Sequence, residues 1–182
     1  MLHTFIVYVE NKPGVLSRVV SLFRRRAFNI DSLTVGRTEK PEVSRMTIVV
    51  DADEDQARRI VANVYKLVNV LLVDDVTAQP AIARDLALIK VEATPESRSH
   101  VLELANVFRA RVVDVANDSL TIEITGTEDK IDSLLEVLRP LGLLEVVRTG
   151  QVAMRRGTKP AAAAAKERVA VVADDDSVSY SV

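Results

Sequence analysis

The hydrophobic period of this chain switches at a few definite points, and it does so in the same order twice. From His3 to Val9 apolar residues alternate, with Phe5, Val7 and Val9 on one face and Ile6 and Tyr8 on the other, which is the period of a β-strand. After Pro13 and Gly14 the spacing becomes helical: Val15, Leu16, Val19, Val20 and Phe23 recur, with Arg18, Arg24 and Arg25 on the remaining surface. Ile30 to Arg37 and Val43 to Asp51 are again strand-like, rich in Val, Ile and Thr, and the charged "TEKPE" between them suits an exposed hairpin turn. Asp53 and Gln56 have the spacing of a capping box, and Ala57, Ile60, Val61, Val64 and Val68 form a second helical stripe. "VNVLLVDDV", Val68 to Val76, closes the series as a short strand.

Strand, helix, strand, strand, helix, strand is the order of the split βαβ unit, so the chain is expected to be α+β with a ferredoxin-like antiparallel sheet and both helices on one face. The order then repeats. Leu86 to Ala93 reads as a strand, Pro95 to Phe108 as a helix, Arg111 to Ala116 and Leu120 to Gly126 as strands, Thr127 to Leu138 as a helix and Leu143 to Thr149 as a strand. "SLFR" at Ser21 to Arg24 and "NVFR" at Asn106 to Arg109 echo each other across the repeat. The pattern implies two tandem βαββαβ domains, at 1–76 and 86–156, joined by a linker at 77–85. The remainder, 157–182, combines a Gly/Pro break, an alanine run and three aspartates, and reads as a flexible tail in which "RVAVV" alone has strand composition.

Composition removes several functions. A net charge of -2 provides no basic surplus for nucleic acid or anionic lipid. Only 4% of the residues are aromatic, and Phe5 and Tyr8 fall on opposite faces of one strand, which does not suit an RNA-stacking sheet. The absence of cysteine rules out disulfides and thiolate chemistry and fits a reducing compartment. With no signal-like N-terminus and no long uncharged apolar run, the expected location is cytoplasmic, away from any membrane. Neither GxGxxG after a strand nor a Walker A segment is present. The two histidines, His3 and His100, lack ligand spacing and read as exposed. Asp74 and Asp75 read as a solvated strand end, because strand neighbours point to opposite faces. Arg24, Arg25 and Arg26 complement a helix C-terminus, with a partner contact as the other reading.

One junction invites a ligand. In "ENKPGVL" a strand gives way to a helix across Pro13 and Gly14, and a helix start offers unpaired N–H groups and partial positive charge to a carboxylate. Gly14 keeps the backbone approachable, Pro13 sets φ, and Asn11 offers an amide. The same features also make a serviceable turn with Asn11 as cap, and spacing alone leaves both readings open.

The run "VENKPGVLSRVVSLFRRRAFNIDSLTVGRTE", with "SRMTIVV" and "DLALIKVEA" further along, resembles the small, regulatory subunit family of acetolactate synthase (acetohydroxyacid synthase), over about Met1 to Arg156. The resemblance implies that the first domain is an ACT domain and that the chain has no catalytic chemistry of its own. It implies activation of a catalytic large subunit, which is expected to use thiamine diphosphate, Mg and FAD, and feedback inhibition by a branched-chain amino acid such as valine. It implies a homodimer through ACT domains, with effectors between them. The matching positions are Asn11, Pro13, Gly14, Val15 and Leu16, joined across the pair by Asn29 and Ile30. Helix-start amides and the Asn11 and Asn29 amides would take the charged groups of the amino acid, with Ile30 or Val35 as an apolar wall. The second repeat departs at "EATPESRS", which has proline but no glycine. A stand-alone ACT-type sensor acting on another target is the alternative reading.

Overall fold

The computed structural model describes residues 1–157. The expected tail beyond Gly157, with its "RVAVV" segment, lies outside the described residues. The chain divides into two compact units, Met1–Ile82 with the segment that begins at Ala153, and Ala83–Val152.

In the first unit the elements are β1 (Leu2–Glu10), α1 (Val15–Arg25), β2 (Ile30–Arg37), β3 (Val43–Asp51), α2 (Glu54–Val64) and β4 (Val70–Asp75). The strands form an antiparallel sheet in the order β2-β3-β1-β4. β1 lies between β3 and β4, with Phe5 opposite Ile48 on one side and Asp75 on the other. The alternation does its expected work: Phe5, Val7, Val9, Met46, Ile48 and Val50 pack with Val19, Phe23, Ile60 and Val64 from the helices in one buried cluster. Each such side chain stabilises the fold by about 1.5–3 kcal/mol. Both bonds of the capping box form, Gln56 N to Asp53 Oδ1 at 2.7 Å and Asp53 N to Gln56 Oε1 at 2.9 Å.

The apolar stripes are wider in sequence than in space. On α1 only Val15, Val19, Leu22 and Phe23 are buried, while Leu16 and Val20 face outward. α2 stops at Val64, and Val68 sits in the turn after it, 90% exposed. It belongs to neither helix nor strand because the chain must reverse there into β4.

The second unit repeats the plan with β5 (Ala81–Glu92), α3 (Arg98–Val107), β6 (Arg111–Val115), β7 (Ser119–Gly126), α4 (Glu128–Leu138) and β8 (Leu143–Arg148), in the order β6-β7-β5-β8. Ile89, Ile122, Ile124, Val101, Ile131, Leu134 and Leu138 are among its buried residues. The expected linker 77–85 is shorter than its composition suggests, because β5 already begins at Ala81 and Asp85 is buried within it. Burial pushes the Asp85 carboxyl above the usual range, Arg148 pulls it back and Asp132 adds to the rise. A ninth strand, β9 (Val152–Arg155), has no counterpart in the sequence pattern. From Ala153 the chain is back with the first unit: Arg45 donates to Ala153 O, Arg155 Nη2 to Asp74 Oδ1 at 2.7 Å, and Arg156 N to Pro80 O at 2.8 Å.

The "SLFR" and "NVFR" echo is not a structural equivalence. Phe23 is buried inside α1, whereas Phe108 is the C-cap of α3. The true correspondence is the helix ending. Ala27 (φ 55°) and Arg109 (φ 53°) are both left-handed. Ala27 N donates to Arg24 O and Phe28 N to Phe23 O, and after α3 Arg109 N donates to Asn106 O and Ala110 N to Ala105 O. These are Schellman endings in which a residue with a Cβ holds the place glycine usually takes. Relief of that strain exceeds the entropy glycine adds to the unfolded chain, so Ala27→Gly should stabilise by about 0.5 kcal/mol. A higher urea midpoint at unchanged slope would register it.

Candidate effector-binding loop

β1 ends in a loop whose shape is set by four residues. Lys12, Pro13, Gly14 and Val15 form a turn closed by Val15 N donating to Lys12 O at 3.4 Å. Gly14 has φ 81° and ψ -8°, so the turn is type II with proline and glycine where that type requires them. A Cβ at Gly14 would meet nothing within 4 Å. Glycine is needed for its backbone angle, and the space beside it is open.

Gly14 is also the N-cap of α1, and no side chain caps this helix. Its first turn carries no acidic residue, whereas those of α2 and α4 do. The first-turn amides at Leu16 and Ser17 therefore face outward with the positive end of the helix behind them.

Asn11 does not cap α1. Its Nδ2 donates to Pro41 O at 2.8 Å, and its backbone N to Glu42 O at 2.7 Å, so it ties the loop to the β2–β3 turn. From the other side Asn69 holds two elements together: it accepts from Arg18 Nη1 at 2.7 Å and donates from Nδ2 to Glu10 Oε2 at 2.6 Å. Glu10 also pairs with Lys12 Nζ at 3.2 Å, so it is a bracing group. Asn69 escapes sequence reasoning because its partners are remote in sequence.

The remaining candidates are distributed unevenly. Pro13, Gly14 and Leu16 stand exposed at the loop, but Val15 is buried at 4% exposure and serves the core. Asn29 and Ile30 lie past the far end of α1, whose 11 residues put about 16 Å between the two ends. Ile30 packs against the core, and Val35 is exposed on β2. A single chain does not bring Asn29, Ile30 and Val35 to Gly14.

In the second unit the equivalent turn is filled by its own side chains. Thr94 N donates to Ser97 Oγ at 3.0 Å and Ser97 N to Thr94 Oγ1 at 3.3 Å. Arg98 Nη2 donates to the carbonyls of Ala116 and Asn117, at 2.8 and 2.6 Å. The Glu96 carboxyl is held below its usual range by its own backbone N–H and then by Thr94.

Two minor sites also differ from the sequence reading. Asp74 is not solvated: burial raises its pKa against the pull of Arg155. His3 is buried, beside Asp75 and Thr77. Among the described residues no cluster with metal-ligand character occurs, and no helix is long and apolar enough to cross a membrane.

The first unit is thus a ferredoxin-like sheet and helix pair with a glycine turn, free of any side-chain cap, after its first strand. Residues 5–72 match the model of the acetohydroxyacid synthase small subunit-like ACT domain, and residues 84–157 match that of the small subunit of acetolactate synthase. The chain is 51% identical over 159 residues to a probable acetolactate synthase small subunit of Archaeoglobus fulgidus, covering 87% of this chain and 99% of that protein. It is 48% identical to the acetolactate synthase small subunit of Mycolicibacterium smegmatis, covering 89% and 95% respectively. The solved structure of the small subunit from Thermotoga maritima superposes with a TM-score of 0.81 at 37% identity, over 87% of this chain and 99% of that one. The chain belongs to the acetolactate synthase small subunit family, and is thus a regulatory and not a catalytic polypeptide.

The bracing of the loop is open to test. Asn69→Ala removes two side-chain bonds, one of them to a carboxylate, and is expected to cost about 1–2 kcal/mol. Hydrogen exchange at the Asn11 amide should accelerate more than at Val7 in the centre of β1.

Proposed function

We propose that this chain binds and activates the catalytic large subunit of acetolactate synthase and makes it answer to valine or a related branched-chain amino acid. The observation that carries the reading is the uncapped, acid-free start of α1 behind a glycine of positive φ. It offers N–H groups to a carboxylate with no side chain in the way. The second unit, whose turn is filled by Glu96, Thr94 and Ser97, takes no effector in this reading and serves structure or partner contacts.

The complete site requires two copies. Asn29 and Ile30 of one copy reach the Gly14 loop of another when the first units pair side by side as a homodimer, and Leu16, Val20 and Val35, exposed at 38–42%, give that pairing apolar surface. Asn11 and Asn29 then divide the polar groups of the zwitterion with the helix-start amides, and Ile30 and Val35 line its side chain. An effector shared between copies favours one arrangement of the dimer over another, which is the condition for transmitting its presence to a partner. The chemistry of the complex, with thiamine diphosphate, Mg and FAD, belongs to the large subunit, and the assembly works in the cytoplasm.

Calorimetric titration of the folded protein with valine, leucine and isoleucine should give heat with at least one of them; none with any would remove the reading. Gly14→Asp strains the turn and sets a carboxylate at the helix start, so affinity should fall at least about tenfold. Assays of the cognate large subunit, with and without this chain across added valine, should show activation and then inhibition.

A further inference from the structure

The chain enters and leaves its second unit through two adjacent segments that both belong to the first, 80–82 on the way in and 153–156 on the way out. β9 pairs with β5, and Arg156 N donates to Pro80 O at 2.8 Å, so the two segments form a short two-stranded ribbon.

Alternation places this ribbon on the first sheet. Phe5, Val7, Ile48 and Val73 belong to the core beneath the helices. Ile6, which stands opposite Thr47 on β3 and Asp74 on β4, therefore faces the other way with both of them, as do Tyr8 and Arg45. Arg155 reaches Asp74, and Arg45 reaches Ala153 O, so the ribbon lies on that outer face. Ala153 is 3% exposed, whereas Met154, pointing away, is 63% exposed. Ile6 and Thr47 are buried.

The grip on Asp74 is incomplete. Arg155 Nη2 donates to Oδ1 at 2.7 Å, but Asp74 Oδ2 and Arg155 Nε are both buried and have no partner among the described residues. A bidentate pair would satisfy both. The charges facing Asp74 are Arg155 from the ribbon, Arg45 from β3 and Asp75 beside it on β4, and burial outweighs the two cations and holds the carboxyl above its usual range. A carboxyl whose pKa is higher when covered than when free weakens the covering arrangement as pH rises, so the ionised Asp74 works against the ribbon that lies on it. Arg45 already has other partners, with its guanidinium 5.7 Å from the centre of the Tyr8 ring and 3.5 Å from Thr47 Oγ1.

We propose that the ribbon is a releasable arm: it lifts off the outer face of the first sheet with its own pairing intact, uncovers Ile6 and Thr47, and leaves the second unit attached through the ribbon alone. Release frees the second unit without unfolding either sheet, and a partner bound to one arrangement selects it.

The chain has no cysteine, so an introduced one is a single reporter. Ile6→Cys should react with a thiol reagent faster than Val7→Cys on the core face, each scaled to its rate in the unfolded chain. Its rate should also depend less on urea, because release exposes less surface than unfolding. Arg155→Met leaves Asp74 without its cation and should speed labelling of Ile6→Cys at least about tenfold. Asp74→Asn keeps the acceptor, removes the charge and should slow it, with Val7→Cys changing less in both backgrounds. Thr47→Cys replaces Ile6→Cys if that variant fails to fold. Equal rates and equal urea dependence on the two faces would overturn the proposal, as would an unchanged rate in Arg155→Met or faster labelling in Asp74→Asn.

Discussion

Strand β1 is hydrogen-bonded on both sides, and the first unit is organised around that fact. Pairing with β3 and β4 leaves it no freedom of register, since a slip by one residue would turn Phe5, Val7 and Val9 out of the core. A strand held so firmly presents the next segment of chain at a fixed place. That segment is a turn that only glycine adopts without strain, leading into a helix that no side chain caps. The loop is thus a rigid mount for exposed donors, braced by Asn11 on the β2–β3 turn and by Asn69 on the turn before β4.

The two units show how one topology is put to different use. Both begin with strand, turn and helix, and both end the first helix with a left-handed residue that is not glycine. At the start of the helix they diverge. Neither first helix has a side-chain cap, but the first unit enters its helix through a glycine of positive φ with open space beside it, while the second ties Thr94 and Ser97 to each other and lashes Arg98 to neighbouring carbonyls. The open space beside Gly14 is what makes a ligand worth seeking in the first unit.

The elements themselves were legible in the amino-acid pattern. β2 and β3 begin and end where composition placed them, and the Asp53 and Gln56 box makes both of its bonds, since these signals act over a few residues. The site was legible only in part. Pro13 and Gly14 announce a type II turn locally, but the spacing of Asn11 suits a helix cap as well as a ligand group, and it is not a cap. Its partner is the carbonyl of Pro41, on a different turn of the chain. Val15 matched the pattern of the loop and yet faces the core, because the first helical residue after the turn is already committed to the buried stripe.

By itself, then, the sequence determined the alternation of periods, the turn that needs glycine and the family to which the chain belongs, all of which are properties of neighbouring residues. Only the tertiary structure decided that His3, Asp75 and Thr77 meet, that Asp74 is half-buried against Arg155, and that the chain returns to its first unit at Ala153. Such contacts arise between segments far apart along the chain, where no spacing rule applies. They depend on which strand lies beside which, and that order is set by the burial of whole faces and not by any single stretch of chain.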